Sequence, residues 1–146
     1  MAKRILLVDD ESDFVQLLLY RLQRAGYDVE FAARGMEAIN KARLALPDLI
    51  LLDLLLPDLD GLTLCEILRR QPLTRRIPLV MITAVNSEVA RAAASAAGAR
   101  LMLNKPLDLA RFDNTVRELL TEMPAALRPE DQDLNRDWKP IVSFQQ

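Results

Sequence analysis

Five short apolar segments alternate with stretches of helical period over most of the chain. The apolar segments lie at residues 4–8, 27–32, 48–53, 77–83 and 100–106. Each is followed by a stretch whose apolar residues recur every three or four positions. Repeated strand and helix units of this kind require a parallel sheet with helices on both faces. The predicted fold is therefore α/β, a doubly wound parallel sheet of five strands flanked by five helices.

Local signals place the helix ends and their inward faces. Ser12 and Asp108 are expected to cap the first and fifth helices, and Gly26 and Gly98 to end the first and fourth. On the second helix, Met36, Ile39 and Ala42 have the spacing of one buried face.

Composition and charge exclude several classes of protein. The 146 residues contain no histidine and one cysteine, so a Ser/His/Asp triad, a histidine metal site, an intrachain disulfide and a cysteine zinc cluster are all excluded. Cys65 is expected to be a small core residue. The net charge of −2 and the lack of a basic block predict no direct binding to nucleic acid. No apolar run reaches the roughly 20 residues of a membrane span, and we predict a cytoplasmic protein.

The composition changes near the end of the chain. Residues 1–122 carry the strand and helix pattern, whereas residues 123–146 form a charged segment without glycine that is interrupted by prolines. We interpret the second range as a tail, either a linker or a docking extension.

Polar residues stand where four of the apolar segments end. Asp9 and Asp10 follow the first, Asp53 closes the third, Thr83 closes the fourth, and Lys105 lies at the end of the fifth. Strand C-termini of a doubly wound sheet share one edge, where ligands bind. We therefore expect these side chains to meet in one pocket.

Neighbouring carboxylates repel one another unless a cation joins them. Mg²⁺ is the natural partner, because it prefers oxygen ligands and binds through one or two carboxylates, waters and phosphoryl oxygens. Asp9 and Asp10 are the predicted metal holders. Without histidine, the best-placed nucleophile is Asp53, which would form an aspartyl phosphate. Lys105 and Thr83 suit stabilisation of a transferring phosphoryl group.

The segments "VDDE", "LLDLLLPDLDG", "VMITA" and "LNKP" together resemble the receiver domain of two-component response regulators, over residues 3 to about 122. The resemblance implies a flavodoxin-like sheet of order 2-1-3-4-5. It also implies that Asp53 itself and the backbone carbonyl of Leu55 complete the magnesium site, and that the peptide bond between Lys105 and Pro106 is cis.

The function implied by this resemblance is signalling rather than catalysis of an external reaction. A histidine kinase or a His-phosphotransfer protein would phosphorylate Asp53. The face made by helix four, strand five and helix five would then change and be recognised by an output partner or by a second copy of the chain. Receivers usually have an aromatic residue three positions before the lysine, but this chain has Met102, so we expect weaker coupling between Asp53 and the helix-four face.

Two alternatives remain open at this stage. One is a binding module that keeps the receiver fold without being phosphorylated. The other is a magnesium-dependent phosphatase with an aspartyl nucleophile, disfavoured because the first strand ends in Asp9, Asp10 and Glu11 rather than in two aspartates one residue apart.

Overall fold

The computed structural model describes residues 2–121, in which strands and helices alternate. The predicted tail, residues 123–146, lies outside the described residues. In chain order the elements are β1 (Arg4–Val8), α1 (Ser12–Arg24), β2 (Asp28–Ala32), α2 (Gly35–Ala45), β3 (Leu49–Leu52), α3 (Gly61–Arg70), β4 (Leu79–Thr83), α4 (Glu88–Ala97), β5 (Leu101–Asn104) and α5 (Leu109–Thr121).

The five strands form one parallel sheet in the order β2-β1-β3-β4-β5. This confirms the fold class and the strand order. Every residue of the central strand β3 is buried, as expected for a strand covered on both faces. The register pairs Val8 with Leu52 and Thr83 with Asn104. The residues that follow these strands are therefore brought to one edge of the sheet.

The sheet separates two hydrophobic cores. Helices α1 and α5 pack on one face, where Leu18 and Phe112 are fully buried. Helices α2, α3 and α4 cover the other face. Cys65 is one of the buried residues on that side, as predicted, and burial raises the pKa of its thiol to about 11. Among residues 2–121, no helix is long and apolar enough to cross a membrane.

Some local predictions were wrong. Glu11, not Ser12, occupies the N-cap position of α1, and no side chain caps that helix. Met36 is 60% exposed, because α2 packs against the core through Ala38, Ile39 and Ala42. Other signals were confirmed. The carboxylate of Asp108 accepts a hydrogen bond from the backbone N–H of Arg111 at 3.2 Å, and Gly98 ends α4 in the left-handed region.

Candidate functional site

Two aspartates are fixed at the carboxyl edge of the sheet by their backbones. The N–H of Asp9 donates to the carbonyl of Ala32, and the N–H of Asp53 donates to the carbonyl of Val8, each at 3.0 Å. The strand ladders thus extend one residue beyond β1 and β3. Both aspartates are buried, so the sheet rather than a flexible loop sets the positions of the two carboxylates.

Lys105 connects these carboxylates. Its Nζ lies 2.9 Å from Oδ2 of Asp9 and 3.2 Å from Oδ2 of Asp53. A third contact, 3.0 Å to Oε1 of Glu11, comes from a largely exposed side chain. Nζ also lies 4.2 Å from the centre of the Phe14 ring, a favourable cation–π distance. The ammonium is therefore held between acidic groups and an aromatic face, with only 13% of the lysine side chain exposed.

Burial and charge shift the pKa values in this pocket. Burial is the main cause that raises the pKa of Asp9. It outweighs the hydrogen bond from the N–H of Glu11 and the attraction of Lys105, and the charge of Asp53 adds to the rise. Burial alone would lower the pKa of Lys105, but its bonds to Asp9 and Glu11 and the charge of Asp53 raise it. Lys105 is thus a permanent cation, while the carboxylates around it outnumber its single charge.

Thr83 lies at the same edge of the sheet, at the end of β4, the strand that pairs with β3. It is the last residue of β4 and its side chain is fully buried. Its carbonyl accepts a hydrogen bond from the N–H of Lys105 at 2.9 Å. Its hydroxyl oxygen accepts from the N–H of Val85 at 3.2 Å. The Thr83 hydroxyl is thus bonded to its own loop.

The predicted metal ligands are only partly brought together. Asp10 is exposed, unlike Asp9 and Asp53. The N–H of Leu55 donates to Oδ1 of Asp53 at 3.2 Å, which places the Leu55 backbone beside that carboxylate. Within the part of the chain that the structure describes, no three acidic, histidine or cysteine side chains form a metal cage of their own. Two carboxylates and a nearby peptide group still fit Mg²⁺, which needs few protein ligands and keeps several waters.

The loop that carries Leu55 is tied to helix α2 by Asp58. The carboxylate of Asp58 accepts hydrogen bonds from the N–H groups of Gly35 at 2.7 Å and Met36 at 3.1 Å. These two N–H groups lie at a helix N-terminus and therefore have no acceptor within the helix. A negative charge is favoured at this position. The bond from Gly35, followed by the bond from Met36, lowers the pKa of Asp58.

A pH-dependent loss of stability is expected in Asp58→Asn. An amide can accept only one of the two bonds without bringing its own donors against the helix, so the variant should have a lower urea midpoint at neutral pH. A lowered pKa stabilises the folded state above the ordinary value of 3.8, and that stability is lost as pH falls through the folded-state pKa. The difference between variant and parent should therefore shrink below pH 3.8. Glu66→Gln, at an exposed position in the middle of α3, is the control, and a constant difference at all pH values would contradict the assignment.

Sequence reasoning missed two contacts of this pocket. Glu11 belongs to the acidic run after β1, and its contact with Lys105 follows from that position. Phe14 carried the signal of a core residue on α1, and nothing in the pattern showed that its ring would face the ammonium. The predicted cis bond between Lys105 and Pro106 is present.

Comparisons with known proteins place this fold and pocket in one class. The model of the response regulator receiver domain matches residues 5–117. The alkaline phosphatase synthesis transcriptional regulatory protein PhoP of Bacillus subtilis is 42% identical over 120 residues, which cover 82% of this chain and 49% of PhoP. A putative response regulator from Chloroflexus aurantiacus superposes with a TM-score of 0.79 at 37% identity, over 84% of this chain and 100% of that one. The BeF3-activated receiver domain of Klebsiella pneumoniae RstA gives a TM-score of 0.77 at 30% identity, over 82% and 100%.

The molecule is a flavodoxin-like signalling domain with an acidic pocket at the carboxyl edge of its sheet. More specifically, the chain belongs to the receiver domain family of two-component response regulators, and the resemblance noted in the sequence is confirmed. Receiver domains of this family interact with histidine kinases and output domains and generally bind Mg²⁺ at the phosphorylation site.

One expectation gains no support from the comparisons. The composition predicted no direct contact with nucleic acid, yet PhoP is by its name a transcriptional regulator. The matched region spans about half of PhoP. The described residues correspond to a receiver alone.

Proposed function

We propose that Asp53 accepts a phosphoryl group from the phosphohistidine of a histidine kinase or a His-phosphotransfer protein. A carboxylate oxygen of Asp53 attacks phosphorus, the P–N bond breaks, and the imidazole leaves with its electron pair and takes up a proton. The observation that carries this proposal is the ammonium of Lys105, held 2.9 Å from Asp9 and 3.2 Å from Asp53. It provides a fixed positive charge where phosphoryl oxygens would arrive.

The magnesium site is part of the same proposal. Asp9, Asp10 and Asp53, with the backbone carbonyl of Leu55, would hold Mg²⁺ through hard oxygen donors. When bound, the ion would supply further positive charge to the transferring group. The geometry supports this assignment, because the carboxylates of Asp9, Glu11 and Asp53 all lie within 3.2 Å of a single ammonium, and an excess of acidic groups favours a second cation.

The switch follows from the new charge on Asp53. A phosphoryl group carries about two negative charges in place of the single charge of the carboxylate, and it brings new acceptor oxygens. Thr83 and Lys105 can both reach these oxygens if the loops after β4 and β5 move inward. A movement of these loops would change the face formed by α4, β5 and α5, which an output domain or a second copy of the chain would recognise. The domain would catalyse only its own phosphorylation and dephosphorylation, at Asp53. Phosphorylation by a histidine kinase would place the protein in the cytoplasm.

Labelling with a small phosphodonor tests this proposal. With acetyl phosphate and Mg²⁺, the protein should gain one phosphoryl group by intact mass, and chelation of Mg²⁺ should prevent the gain. Asp53→Asn should abolish labelling, because an amide is not a nucleophile at neutral pH, whereas the exposed control Asp13→Asn should be labelled like the parent. An unlabelled parent protein would favour the alternative of a receiver fold that acts only as a binding module.

A further inference from the structure

A polar network links the pocket to helix α4 in place of an aromatic relay. Met102, which occupies the usual aromatic position, is fully buried in the core and has no strong polar group. Two residues further on, the side chain of Asn104 reaches from the end of β5 to the loop after β4. Its Nδ2 donates to the carbonyls of Thr83 at 3.2 Å and Val85 at 2.7 Å.

The other end of the same amide contacts α4. Oδ1 of Asn104 accepts a hydrogen bond from Nη2 of Arg91 at 2.6 Å, and that nitrogen also donates to Oδ1 of Asn86 at 2.6 Å. Arg91 is only 6% exposed, which is unusual for a charged residue on an outer helix. These bonds fix the orientation of the Asn104 amide, because exchanging its oxygen and nitrogen would place donors against Arg91 and an acceptor against two carbonyls.

The network bears directly on the loop that must move. Val85 is held from both sides, since its carbonyl accepts from Asn104 while its N–H donates to the hydroxyl of Thr83. Asn104 also precedes Lys105 in the chain. If the Thr83 hydroxyl turns toward a phosphoryl group on Asp53, the loop has to give up these bonds or carry Asn104 with it.

We propose that Asn104 and Arg91 are positioning residues: Asn104 holds the β4–α4 loop in its present arrangement, and Arg91 transmits the movement of that loop to α4. The inference rests on the proposed function for its role in signalling. The hydrogen bonds themselves exist without a phosphoryl group. Loss of the Asn104 bonds would make the active arrangement easier to reach, and a larger population of a binding-competent state raises apparent affinity.

Amide hydrogen exchange of the unliganded protein is the first test. In Asn104→Leu, the N–H of Val85, which donates to the hydroxyl of Thr83, should exchange about tenfold faster than in the parent, as the loss of two net hydrogen bonds to the loop implies. Asn104→Asp should show the same effect, because it keeps the acceptor for Arg91 and loses both donors to the loop. Asn114→Leu, the same change on exposed α5, should have no effect on the loop. Exchange at the parental rate in both Asn104 variants would overturn the inference.

Beryllofluoride, a phosphoryl mimic, provides the second test. With Mg²⁺ and BeF3⁻, Asn104→Leu should bind about tenfold more tightly than the parent. A residue with a merely structural role would instead weaken binding when replaced, and that result would overturn the inference. Arg91→Met should bind close to the parental affinity, but exchange along α4 should no longer respond to BeF3⁻. If the parent protein does not bind BeF3⁻, the proposed function fails, while the exchange test still decides whether Asn104 holds the loop.

Discussion

Lys105→Met is expected to destabilise the folded protein by about 3 kcal/mol in magnesium-free buffer at neutral pH. The substitution removes the ammonium that lies 2.9 Å from Asp9 and 3.2 Å from Asp53 and leaves the methylene chain almost unchanged in length. Two buried carboxylates then face each other without a cation. Their repulsion and desolvation are no longer offset in the folded state, whereas the unfolded chain exposes both to water.

Magnesium should reverse part of this loss. In the parent protein Lys105 competes with a metal ion for the same carboxylates, so Mg²⁺ should bind more tightly to the variant and raise its stability more. Urea unfolding with either EDTA or MgCl2 measures both effects. Lys41→Met is the matched control, since the contacts of Lys41 with Glu37 and Phe31 are at the surface and should contribute about 1 kcal/mol or less. A variant as stable as the parent without Mg²⁺ would show that Lys105 does not balance the acids.

Gly61→Ala is expected to disturb the site through its backbone. A Cβ atom at this position would lie 2.5 Å from the carbonyl oxygen of Asp53 and 2.7 Å from Cα of Leu54. Both are main-chain atoms and cannot rotate away. The N–H of Gly61 also donates to the carbonyl of Leu54 at 2.8 Å. Relief of the collision requires a shift of the start of α3 or of Asp53, and overpacking of this kind destabilises by about 1–3 kcal/mol.

The functional loss in Gly61→Ala should exceed its loss of stability. Displacement of the Asp53 carboxylate from Lys105 should slow labelling by acetyl phosphate at temperatures where the variant is still folded. Gly26→Ala is the control, because Gly26 has a φ of +96° and no atom within 4 Å of the added carbon. It should lose about 1 kcal/mol through left-handed strain and be labelled at the parental rate. Equal labelling of both variants would contradict the steric argument.

The fold class could be predicted from the apolar pattern, whereas the strand order 2-1-3-4-5 was implied by the resemblance to receiver domains. Parallel strands that are buried on both faces are continuous apolar runs. The run at Leu49–Leu52 is of this kind, and every residue in it is buried. The same topology predicts that Asp9, Asp53, Thr83 and Lys105 share an edge, because each follows or closes a strand. Strand direction alone places these residues at one edge, whereas their proximity also depends on the strand order.

What could not be predicted depends on side-chain direction and on backbone approach. Met36 has the spacing of an inward residue, but the α2 residues in the core are Ala38, Ile39 and Ala42, and Met36 stays exposed. Asn104 reads as the last residue of a strand, and its bonds to Val85 and Arg91 depend on how the next loop folds back. Asp10 looks equivalent to Asp9 in the sequence, whereas alternation after β1 leaves it exposed.

The most direct test of the central claim is to identify the residue that carries the phosphoryl group. Borohydride reduces an aspartyl phosphate to homoserine, which peptide mass mapping assigns to a position. After incubation with acetyl phosphate and Mg²⁺, homoserine should appear at position 53 and at no other aspartate, and EDTA should suppress it. Homoserine at Asp9 or Asp10, or a phosphorylated protein without homoserine at 53, would contradict the account.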